Sequence, residues 1–70
     1  MPELSGFSGK EVISILIAVG FTVKRTRGSH TVLRRGNVVC VVPLHSELAP
    51  GTLRSVLRQA GLSIEEFLNK

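Results

Sequence analysis

The sequence predicts an α+β domain of order α-β-β-β-α, a three-stranded antiparallel sheet with its helices on one face. Three observations lead there. Apolar residues recur at helical spacing near both ends of the chain. The middle is rich in Val and Thr and is cut twice, by Gly28-Ser29 and by Gly36-Asn37. A proline, Pro43, then closes that middle before a second helical pattern begins. Seventy residues cannot divide their apolar side chains between two cores, so residues 1–70 are expected to form one domain.

The elements follow in order. Ser8-Gly9-Lys10-Glu11 has capping-box form, a hydroxyl at the N-cap with a carboxylate three residues later. Val12, Ile13, Leu16 and Ile17 continue it as a helix over about residues 9–19, which Gly20 can stop in a left-handed conformation. Strands are expected at about 21–27, 30–35 and 38–43, because Gly followed by Ser or Asn suits a tight hairpin. The third, Val38 to Val42, is apolar on both faces and could be covered on both sides. Residues 44–49 read as a loop. Pro50 opens a second helix at its first turn, with Leu53, Val56, Leu57 and Ala60 on the buried stripe and Gly61 as the stop. Ser63-Ile64-Glu65-Glu66 is another capping box, leading to a last turn that buries Ile64, Phe67 and Leu68. Two amphipathic helices can cover one face of the sheet and leave the other free. Double-stranded-RNA-binding domains share this arrangement, although topology alone does not establish function.

Composition narrows the function classes. With 43% hydrophobic and 20% charged residues the chain is globular rather than disordered. Its core is nevertheless small, and chains of this length usually need a disulfide, a metal or a partner to exceed roughly 3–5 kcal/mol of stability. The single cysteine, Cys40, excludes an internal disulfide and is expected to be an inert core thiol. One Cys and two His without close ligand pairs argue against a structural zinc site. A partner protein is the remaining stabiliser. No apolar run reaches the ~18 residues of a membrane span, and residues 1–7 lack the form of a signal peptide, so the cytoplasm is the expected compartment. No phosphate-cradling glycine motif is present, and no nucleotide or other small-molecule cofactor is expected.

Charge is distributed unevenly along the chain, whose net charge is +4 and pI about 10.3. Every acidic residue lies at or before Glu11, or at or after Glu47. Between them stand Lys24, Arg25, Arg27, Arg34 and Arg35 with no carboxylate to neutralise them. A one-signed patch is suited to phosphates, and RNA is the expected partner. The plainer alternative is a solvated basic face. With no Trp or Tyr, and with the phenylalanines read as core, stacking of single-stranded bases on an aromatic platform has no support.

His30 is the candidate catalytic residue. It follows the Gly28-Ser29 turn, and a two-residue loop would set it opposite Arg27, with Arg25 and Arg34 on the same face. Imidazole can move a proton near neutral pH, and guanidinium groups can hold a phosphate and stabilise charge growing on its oxygens. RNA carries its own nucleophile in the 2′-OH, so a proton-transfer group and a phosphate clamp suffice for cleavage. Two-metal hydrolysis would need an acidic ligand set that the sequence lacks. A histidine near arginines is also what an exposed hairpin without a role would show. His45 either approaches the same edge of the site or serves only the loop. Thr52 is expected to cap the second helix, the alternative being that it presents its hydroxyl to an anion there. Lys10, near the start of the first helix, either meets RNA or is simply solvated.

Several of these segments together resemble the HicA (YcfA-like) toxin family, the RNA-cleaving halves of toxin–antitoxin pairs. Ser8-Gly9-Lys10-Glu11-Val12, Gly20-Phe21 and Arg27-Gly28-Ser29-His30 are similar to the family's motifs in order and spacing. So are Val42-Pro43-Leu44-His45, Pro50-Gly51-Thr52-Leu53 and Leu57-Arg58-Gln59-Ala60-Gly61-Leu62-Ser63, running into Glu66-Phe67-Leu68. The resemblance implies a double-stranded-RNA-binding-like fold, endonucleolytic cleavage of messenger RNA, and neutralisation by a HicB-type antitoxin. It implies that His30 is catalytic, with Gly28 and Ser29 shaping the turn that presents it. A double-stranded-RNA-binding module without catalysis is the alternative.

Overall fold

A computed structural model describes residues 4–69, and its order is that expected: α1 (Gly9–Ala18), β1 (Thr22–Arg27), β2 (His30–Arg35), β3 (Val38–Pro43), α2 (Pro50–Ala60) and α3 (Ile64–Leu68). The strands form one antiparallel sheet in sequence order, β1-β2-β3. Helix, three antiparallel strands and returning helices around an open sheet give the α+β architecture of double-stranded-RNA-binding domains.

Both capping boxes form. Ser8 Oγ accepts from the Glu11 N–H at 3.1 Å while Glu11 Oε1 accepts from the Ser8 N–H at 2.8 Å. Ser63 and Glu66 repeat the exchange at the start of α3, at 3.0 and 2.8 Å. Each pair satisfies amide donors that a helix start otherwise leaves without a partner. Thr52, by contrast, does not cap α2. The N-cap is Ala49, with no side-chain bond, because Pro50 already occupies the first turn and carries Thr52 inside the helix. Gly61 ends α2 in the left-handed region at φ 73°.

The helix-facing side of the sheet carries the core. Thr31, Leu33, Cys40 and Val42 are all buried there against Val12 and Leu16 of α1, Leu53, Val56, Leu57 and Ala60 of α2, and Phe67 of α3. Phe7 packs edge-on against Phe67 with ring centroids 5.0 Å apart. Leu68, expected in this core, is instead 37% exposed, and Ile64 is half-buried. In a helix of only five residues, Phe67 alone is buried. Burial also pushes the Cys40 thiol up from its ordinary pKa, as desolvation disfavours thiolate, which keeps it in the inert form expected of it.

The opposite side of β3 is not covered. Val39 is 49% exposed and Val41 half-buried, so the strand that is apolar on both faces keeps one of them open. Its free edge is partly closed, because the Val41 N–H donates to Gln59 Oε1 of α2 at 3.0 Å. Such a contact blunts an edge that would otherwise pair with another strand.

Candidate nucleic-acid interface and catalytic site

The hairpin register decides which side chains share the open face. Gly28 takes φ 55° while Ser29 does not turn positive, the combination that a two-residue II′ hairpin asks of its first and second positions. The ladder therefore starts with Arg27 opposite His30. On the other side of β2, His30 pairs with Pro43, Val32 with Val41 and Arg34 with Val39. Alternation then separates the faces. His30, Val32 and Arg34 point away from the helices, whereas buried Thr31 and Leu33 point toward them.

β1 supplies the rest of this face. Arg27 and Arg25 stand opposite His30 and Val32, and the register shifts between Val23 and Arg25, leaving Lys24 as an extra residue. Two cations, Lys24 and Arg25, thereby oppose Val32 alone, as a bulge allows. The shift also turns Val23 toward the side of Leu33. Without it, Val23 and Arg25 would lie on one face. All six residues of β1 are exposed. The result is a half-open strip of Val32, Val39 and Val41 bordered by Arg25, Arg27, His30 and Arg34. Arg34 is steadied there by its own turn, its Nε donating to the Gly36 carbonyl at 2.6 Å.

Arg35 does not join this group. It pairs with Val38 on the helix side, where its guanidinium donates to the Val19 carbonyl at 2.8 Å. The same group lies 4.8 Å from the centroid of the Phe21 ring. One cation thus satisfies the last turn of α1 and covers the aromatic edge of the core. Arg35 was expected to contribute to the basic surface, and the structure places it on the other side of the sheet from His30. Adjacent residues of a strand face opposite ways, so Arg34 and Arg35 cannot share a face.

The end of the sheet near His30 gathers the remaining candidates. The ladder runs one step past the His30–Pro43 pair, since the Leu44 N–H donates to the Ser29 carbonyl at 2.6 Å. The next carbonyl, that of His45, accepts from the Gly9 N–H at 2.9 Å. Gly9 is seated so closely that a Cβ there would run into the Pro43 carbonyl oxygen, which makes glycine necessary at this joint. Lys10 follows it on α1 and is exposed, as are Gly28, Ser29, His30 and His45. Gln59 and Gly9 stand within the sequence motifs without a role of their own there, because their roles depend on contacts between distant segments.

The described residues therefore present an open, basic sheet face with a histidine at one end, on a double-stranded-RNA-binding-like scaffold. Among them no three His, Cys, Asp or Glu side chains gather as a metal site, and no helix is long and apolar enough to cross a membrane. Such a face defines a class, that of small α+β domains whose open sheet face is exposed and basic. The family model described as the HicA toxin of bacterial toxin–antitoxin systems matches residues 9–62. The chain belongs to the HicA toxin family. No curated protein matches it closely enough to add a more particular assignment.

Proposed function

We propose that this chain is the RNA-cleaving half of a toxin–antitoxin pair, a metal-independent endoribonuclease acting on messenger RNA in the cytoplasm. One observation carries the reading: the register that sets exposed His30 opposite Arg27, on the same uncovered face as Arg25 and Arg34. His30 acts as general base or general acid on the RNA. Arg25, Arg27 and Arg34, with Lys24 in the bulge, hold the phosphates and offset charge developing on the scissile group. Gly28 and Ser29 fix the turn that presents the imidazole, while Lys10 and His45 border the same end. The nucleophile is the substrate's own 2′-OH, so neither cofactor nor metal is required. A HicB-type antitoxin would complement the basic face by charge and exclude RNA from His30.

Purified protein is expected to cut messenger RNA in the presence of EDTA and to leave 2′,3′-cyclic phosphate ends. Adding the antitoxin, sought as a small acidic protein encoded beside this one, should stop the cutting. Uncut RNA that is nevertheless bound in a salt-dependent way would establish instead a double-stranded-RNA-binding module without catalysis.

The placement of the arginines yields a second expectation. With 2′-O-methyl RNA, which cannot be cut through its own 2′-oxygen, log Kd against log salt reports the phosphates neutralised. Arg27→Ala and Arg25→Ala should each lower the slope by about 0.7–0.9. Arg35→Ala should leave the slope unchanged and instead lower the Tm by several degrees, through loss of about 1 kcal/mol of cation–π and helix-end contact. Equal slopes for Arg35→Ala and Arg27→Ala would contradict the division of faces.

A further inference from the structure

We propose that His45 is a second proton-transfer residue, and that His30 and His45 divide between them the two proton movements of RNA cleavage. The inference rests on the ribonuclease reading and deepens it at the same site.

The chemistry requires two transfers. A proton leaves the 2′-oxygen as the O2′–P bond forms, and a proton reaches the 5′-oxygen as the P–O5′ bond breaks. The products are a 2′,3′-cyclic phosphate and a free 5′-hydroxyl, so atoms and charge balance with one base and one acid. Attack and departure occur in line, on opposite sides of the phosphorus. Two separate groups serve this geometry better than one.

The residues around His30 supply an agent for one transfer and leave the other to water. A guanidinium group is no proton shuttle near neutral pH, and a serine hydroxyl is both a weak acid and a weak base there. Imidazole suits the task, and the chain holds only two histidines. They are far apart in sequence, yet the fold brings their segments together. Leu44, which precedes His45, is hydrogen-bonded to Ser29, which precedes His30. His45 thus follows directly on the residue bonded to the turn that presents His30.

That segment is held from both sides. The Leu44 N–H is fixed to the hairpin, and the His45 carbonyl is fixed to the first residue of α1, which itself fits against Pro43 with no room for a side chain. The main chain of His45 is thus anchored while its side chain remains exposed. A loop residue serving only to connect strand and helix would not need this anchoring beside the catalytic turn. The nearest charged groups along the anchored segments are Lys10 and Glu11, which follow Gly9 on α1, and Glu47 in the loop, whose carboxylate accepts from the Gly6 N–H at 3.3 Å.

The test uses the full chain and a short RNA bond that the wild type is first shown to cut. The same bond is then remade with sulfur in place of the bridging 5′-oxygen, a leaving group that departs without protonation. Wild type, His30→Ala and His45→Ala are compared on both substrates, with His45→Gln as a variant of similar size, and folding is followed by circular dichroism. His45→Ala is expected to lose about 100-fold or more on the oxygen substrate while keeping its affinity for RNA. On the sulfur substrate the deficit of one histidine variant, and not of the other, should largely disappear. A variant that had merely lost its fold would be rescued by neither bond. Cleavage by His45→Ala at the wild-type rate would overturn the assignment of His45 alone, as would deficits that persist, or vanish, in both variants. Failure of the wild type to cut any RNA would overturn the ribonuclease reading as well.

Discussion

His30→Ala is expected to lower RNA cleavage by about two to four orders of magnitude while leaving the fold intact. The size follows from what a positioned proton-transfer group contributes, ~10²–10⁴-fold. The intact fold follows from position. His30 is exposed at the first residue of β2, and its side chain forms no part of the buried cluster. Its loss removes no core volume and leaves no buried polar atom without a partner, so the change in stability should fall within about 0.5 kcal/mol. RNA affinity should fall little, because Arg25, Arg27 and Arg34 carry the charge on that face. A variant with unchanged cleavage would remove His30 from the mechanism. A variant that lost RNA binding along with activity would make the imidazole a binding group instead.

The position of His30 was legible in the sequence for a physical reason. Gly28-Ser29 can form a two-residue turn with only one positive φ, but the sequence left the register open by one residue, a slip that would carry His30 to the other face; the Arg27–His30 pair fixes it. Once Arg27 faces His30, alternation assigns the rest of β2. The bulge at Lys24 was not legible, because no Gly or Pro marks it and β1 reads as an uninterrupted strand. The shift turns Val23 toward the side of Leu33 while Arg25 stays with Val32. Arg35 shows a signal that was present but not used. Counting five cations between Glu11 and Glu47 treats them as one patch, whereas Arg34 and Arg35 are neighbours in a strand and must diverge. Gln59 and Gly9 could not have been found locally. One closes the edge of a strand 18 residues away, and the other joins a helix start to the loop after β3.

The asymmetry of the sheet predicts the largest effect on stability. Leu33 lies on the central strand, wholly buried among the helices, and Leu33→Ala should cost about 2–5 kcal/mol. A domain of this length has roughly 3–5 kcal/mol to lose, so the isolated variant should be largely unfolded near room temperature. Val39→Ala, on the same sheet but the open face, should change stability by no more than about 0.5 kcal/mol. Thermal unfolding followed by circular dichroism would separate the two, and similar Tm values would mean that the helices do not define the core side. Adding the antitoxin extends the argument. A partner that binds only the folded state contributes RT ln(1 + [L]/Kd), about 4 kcal/mol at a thousandfold excess over Kd. That is comparable to the loss at Leu33, so the variant should refold in the complex. Restoration is expected because Leu33 and the proposed antitoxin surface lie on opposite faces of one strand. If saturating antitoxin left Leu33→Ala unfolded while binding wild type tightly, the partner's surface would have to include the helix side.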